Sequence, residues 1–135
     1  MQSKQLGPFA SARGSTWMLV ALASGVYFAV PRSVIAQDAT WTGPGNEWTT
    51  GSNWTPATPT GTATFTNNGA PTAVNISGNA TIETMEFTAA APAYSFNVTA
   101  GASFTVNTGI ISASPTLPSF QVNLGSTLTF GDGTE

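Results

Sequence analysis

Three stretches of this chain can be laid over one another with their residue types in phase, and nothing else in the sequence constrains the fold as tightly. They are Val74-Asn75-Ile76-Ser77-Gly78-Asn79-Ala80-Thr81-Ile82, Val98-Thr99-Ala100-Gly101-Ala102-Ser103-Phe104-Thr105-Val106 and Val122-Asn123-Leu124-Gly125-Ser126-Thr127-Leu128-Thr129-Phe130. Each reads as an alternating strand, a glycine turn and a second alternating strand, and the leading valines stand 24 residues apart. Alternation with a period of two marks half-buried strands. A repeat period within roughly 20–50 residues marks a solenoid. A single such unit cannot bury its own apolar face, because its backbone edges stay open above and below until equivalent turns stack on them. The chain is therefore expected to be all-β, built of parallel β-helix or solenoid turns. Ile76, Ile82, Phe104, Val106, Leu124, Leu128 and Phe130 are the candidates for its apolar columns. Gly78 falls one place later in its unit than Gly101 and Gly125 do in theirs. A β-sandwich, which also carries short strands every 8–12 residues or so, is the alternative.

The repeats fill only part of the chain. Residues 1–36 read as a signal peptide: Lys4 and Arg13 supply a positive start, Trp17 to Val30 is continuously apolar or small, and Pro31 ends any helix. Val34 and Ala36 then occupy the two positions that a signal peptidase must accommodate, which places the cut between Ala36 and Gln37. The apolar run is short against the roughly 20 residues of a membrane-spanning helix. Signal peptidase and the export machinery are the partners this segment implies. Residues 37–62, rich in Trp, Gly, Pro and Thr, read as an irregular N-terminal cap with several turn signals. Residues 63–135 form the β-strand repeat segment, which is expected to be incomplete because it stops in mid-pattern.

Charge narrows the chemistry. All three basic residues, Lys4, Arg13 and Arg32, precede the expected cut, and all six acidic ones follow it, so the remaining side chains carry −6. Without a single Lys or Arg the exported part cannot neutralise phosphates, which argues against nucleic acid and anionic lipid as partners. It also has no His or Cys, so Ser-His and Cys-His nucleophile pairs and zinc sites cannot be assembled. No cofactor is expected. Paired carboxylates remain, and Glu83 with Glu86 is the one pair close in sequence. Three residues apart in a regular strand, they point to opposite faces unless a bulge turns one of them. The reading is accordingly not an enzyme.

The motifs Trp41-Thr42-Gly43, Asn46-Glu47-Trp48, Asn53-Trp54, Ala63-Thr64-Phe65, Ile82-Glu83-Thr84-Met85-Glu86-Phe87 and Tyr94-Ser95-Phe96 together resemble the opening of autotransporter-type passenger domains with β-strand repeats. That resemblance covers the chain after the signal peptide. It implies a right-handed parallel β-helix displayed at the bacterial cell surface and carried across the outer membrane by a C-terminal β-barrel. The sequence departs from the family in that no run of long alternating strands of the kind a membrane barrel needs follows Val122.

Trp41, Trp48 and Trp54 are the candidate functional residues. Flat aromatics among Asn and Thr can stack on a sugar ring, and they can equally plug the open end of a solenoid core. Two functions follow: an exported structural or adhesive segment at the cell surface, its surface ligand unspecified, or a small extracytoplasmic module that binds carbohydrate through these tryptophans.

Overall fold

The computed structural model describes residues 35–131. Among the described residues the strands are nine: β1 (Ala39–Trp41), β2 (Trp54–Thr55), β3 (Thr62–Phe65), β4 (Ala73–Ile76), β5 (Ala80–Phe87), β6 (Ser95–Val98), β7 (Ser103–Ser112), β8 (Ser119–Val122) and β9 (Thr127–Phe130). A single short 3-10 turn, Gly51–Asn53, precedes β2. One sheet runs β2-β1-β3-β5-β7-β9 and the other β4-β6-β8. Every pairing is parallel except that of β1 with β2. The protein is a parallel β-solenoid of about four turns.

The stack forms because each strand buries alternate residues, and parallel registry sets like positions above one another at about 4.8 Å. Ala80, Phe104 and Leu128 make one inward column, and Ile82, Val106 and Phe130 another. In the second sheet the columns are Val74-Phe96-Phe120 and Ile76-Val98-Val122. Burial falls toward the last coil in each of them. Ile76, Ile82, Phe104 and Val106 are fully buried, Leu128 is partly buried against the core, and Phe130 and Val122 are 43% and 46% exposed. Leu124 does not belong to a column at all. It lies in the turn between β8 and β9 and is 95% exposed, so the expectation that it is a core residue is corrected.

The spacing of the coils also differs from the expected constant value. Val74 pairs with Phe96 and Ile76 with Val98, a spacing of 22, whereas the next coil keeps 24. The cause is the turn from β4 to β5. Three residues separate Ile76 from Ala80, but five separate their counterparts Val98 and Phe104. Gly101 and Gly125 are the third residues of tight turns closed by Ala102 N–H to Thr99 O (3.0 Å) and Ser126 N–H to Asn123 O (3.1 Å). Their φ values of 81° and 75° are those that such turns require of glycine. Gly78 has no such conformation and is not their equivalent.

The segment before β3 is less irregular than its composition implies. β1 is already a rung of the first sheet, and Glu47 bridges Asn75 in parallel beneath the second. Trp48 N–H donates to Asn75 O (2.8 Å) and Asn75 N–H to Asn46 O (2.6 Å). The expected signal peptide lies outside the described residues except for Ile35 and Ala36, both exposed. Gln37 is the first residue tied to the solenoid: its carbonyl accepts from Thr60 and Gly61 N–H (2.9 and 2.8 Å), and its N–H donates to Thr60 Oγ1 (3.0 Å). No helix among the described residues is long and apolar enough to cross a membrane.

Candidate functional site

The three tryptophans converge on one end of the core. Trp41 and Trp48 are fully buried and Trp54 is 3% exposed. Trp54 packs edge-on against both of the others, at 5.0 and 4.7 Å between ring centroids. All three rings lie within 6.5 Å of Phe65. None offers an open face for stacking on a ligand: covering the first coils encloses the rings. Trp41 Nε1 donates to Pro71 O (2.8 Å) and Trp54 Nε1 to Trp48 O (2.8 Å). Trp48 Nε1 is buried with no hydrogen-bond partner. A buried donor left unmade costs about 1–3 kcal/mol.

Asn53, visible in the sequence only as part of the Asn53-Trp54 motif in a turn-rich stretch, holds this end together. It is 2% exposed. Its Oδ1 accepts from Gly45 N–H (3.0 Å), its Nδ2 donates to Glu47 O (2.8 Å), and its own carbonyl accepts from Thr42 and Gly43 N–H (3.0 Å each). A Cβ at Gly43 would overlap the Asn53 backbone, so the close approach needs glycine there.

A groove opens beside Trp48. It encloses about 350 Å³ and is lined by Trp48 and Thr49 from the cap, Thr58, Pro59 and Thr60 from the loop before β3, and Asn79, Ala80 and Thr81 at the start of β5. More of the lining is apolar than polar, its polar groups are threonine hydroxyls and the Asn79 amide, and no ionisable side chain is part of it. Thr60 Oγ1 accepts from Gln37 N–H and keeps its own proton to donate. Ala80 faces inward in line with Phe104 and Leu128 but is only partly buried, because the groove reaches it.

The carboxylates stand elsewhere. Glu83 and Glu86 do not face opposite ways as regular alternation requires. The β5–β7 register shifts between Ile82 and Thr84, and both Ile82 and Met85 are buried with two residues between them. That irregularity leaves Glu83 exposed and Glu86 half-buried on the outer surface. Asn107 Nδ2 donates to Glu83 (3.1 Å) and Thr64 Oγ1 to Glu86 (3.5 Å). Each carboxylate is thus held by a neutral group one coil away. Among the described residues no three His, Cys, Asp or Glu side chains come together as a metal site would need.

Compared with known proteins, the chain matches no family model, no curated protein and no solved structure.

Proposed function

We propose that the chain is an exported structural or adhesive segment of the bacterial cell surface, the opening of a passenger of the autotransporter kind. The observation that carries this reading is the in-register stack of parallel coils behind a tryptophan-filled first turn. At one end β2 turns antiparallel over β1 and the tryptophans fill the core, and the coils that follow pair in parallel through β9. Stacked coils of this kind are how a stalk carries surface loops away from a cell. Two further features support export. The residues flanking the expected cut change from exposed Ala36 to hydrogen-bonded Gln37, so a peptidase would meet accessible backbone at the boundary of the folded part. Everything after that cut lacks basic side chains.

The test places an epitope in the exposed turn at Ala89-Ala90 and expresses the full chain, alone and fused to a translocator barrel, in a bacterial host. Recovery outside the cytoplasm with Gln37 as the first residue, and antibody labelling of intact cells by the fusion, is the expected result. Retention in the cytoplasm with residues 1–36 still attached would overturn the proposal.

A further inference from the structure

We infer that the groove beside Trp48 is a binding site for a neutral, hydroxyl-rich ligand about the size of one sugar ring. This does not rest on where the chain resides. The volume of about 350 Å³ sits at the lower end of the roughly 300–1,000 Å³ of small-molecule sites. Thr58, Thr60 and Thr81 supply hydroxyls that can both donate and accept, Asn79 adds an amide, and the Thr49 hydroxyl is already donated to Glu47 (3.4 Å). With no ionisable group in the lining, an ionic ligand would find no counter-charge, and a neutral polyol would lose nothing by that. Trp48 bounds the groove with its Nε1 closed off from it, so the polar contacts to a ligand come from the threonines and Asn79.

The groove is also not a by-product of the repeat. Two departures from the coil pattern meet at this spot. The inward column that holds Phe104 and Leu128 in later coils begins with the much smaller Ala80, which leaves room that Trp48 only partly takes up, packing at 4.8 Å on Phe104. The turn leading into Ala80 is the one shortened by two residues, which draws Gly78 against Thr49 so closely that a Cβ would lie 3.3 Å from its methyl group. In the next coil the fully buried Phe104 stands where Ala80 stands in this one.

The experiment titrates the full-length chain with the methyl glycosides of glucose, galactose and N-acetylglucosamine, following the Trp48 indole N–H and the Thr81 amide by proton–nitrogen correlation spectra. Saturable shifts with a Kd on the order of 1–10 mM, the range for a ligand of a dozen or so heavy atoms, are expected for at least one glycoside. The affinity should be unchanged from about 0.01 to 1 M salt, since no charge takes part. Ala80→Leu fills the groove without removing a hydrogen bond and should weaken binding at least tenfold. Thr58→Val, at a half-buried loop position outside the strands, removes one hydroxyl at constant shape and should weaken it several-fold, which keeps the test informative if Ala80→Leu fails to fold. Absence of saturable shifts with all three glycosides, equal binding by both variants, or strong salt dependence would each overturn the inference.

Discussion

Replacing Phe65 by alanine should remove most of the stability of the solenoid, while the same change at Phe130 should remove little. Phe65 is fully buried, and its ring lies 4.9–6.5 Å from those of Trp41, Trp48, Trp54, Phe87, Tyr94 and Phe96. It stacks almost flat on Phe87, one coil above, with 15° between the planes. Truncating a buried phenylalanine costs about 3–5 kcal/mol, and the number of aromatic neighbours puts Phe65→Ala near the top, at about 4–5 kcal/mol. Phe130 is 43% exposed and meets one aromatic, Phe120, at 5.6 Å. Full burial of such a ring is worth about 1.5–3 kcal/mol, so its loss should cost roughly 1 kcal/mol. A domain of this size holds only about 5–15 kcal/mol in total. Urea titration followed by tryptophan fluorescence measures both, because three tryptophans surround Phe65. At a slope of about 2 kcal/mol per M, the midpoint should fall by about 2 M for Phe65→Ala and about 0.5 M for Phe130→Ala. Equal shifts, or a larger one at Phe130, would refute the argument that the core is concentrated at the tryptophan-covered end.

Asn53→Ala should cost about 2–4 kcal/mol of unfolding free energy, since it leaves both Gly45 N–H and Glu47 C=O without their partner; a loss under about 1 kcal/mol would show that the cap does not depend on it. Tyr94 donates from its Oη to Thr66 O (2.9 Å), and burial raises its pKa above the ordinary value of 10.0. Because the folded value exceeds the unfolded one, this contribution is complete below about pH 10 and is lost as pH rises through the folded pKa. Wild-type stability should therefore decline in alkali with a slope that Tyr94→Phe abolishes, and identical pH profiles would contradict the assignment.

Much of the coil structure is legible from residue pattern alone, and its failures have local causes. The second strands of the three units, ending at Ile82, Val106 and Phe130, keep the 24-residue spacing in the structure. The first strands do not, because glycine at 78 looks like the turn glycine at 101 although only the latter has a left-handed backbone. Leu124 is apolar and in phase, but it precedes Gly125 in a tight turn whose geometry turns it outward. Glu83 and Glu86 depend on an irregularity in β5 that no residue type announces. The tryptophans were visible as a group, whereas their enclosure depends on Phe65 and Phe104, which are distant in sequence. The groove is the least legible feature, since it arises from what Ala80 and a short turn leave unfilled.

In-register parallel stacking is the claim on which everything else depends, and the absence of cysteine from the chain makes it directly testable by engineered cross-links. Thr81, Thr105 and Thr129 are successive register partners on the outer face. Neighbouring rungs about 4.8 Å apart fall within disulfide reach, whereas two rungs, about 9.6 Å, exceed it. Oxidation of the paired cysteine variants Thr81→Cys/Thr105→Cys and Thr105→Cys/Thr129→Cys should give near-complete intramolecular bonds, and Thr81→Cys/Thr129→Cys should stay reduced. Failure of both adjacent pairs to close, or closure of the distant pair to the same extent, would contradict the solenoid.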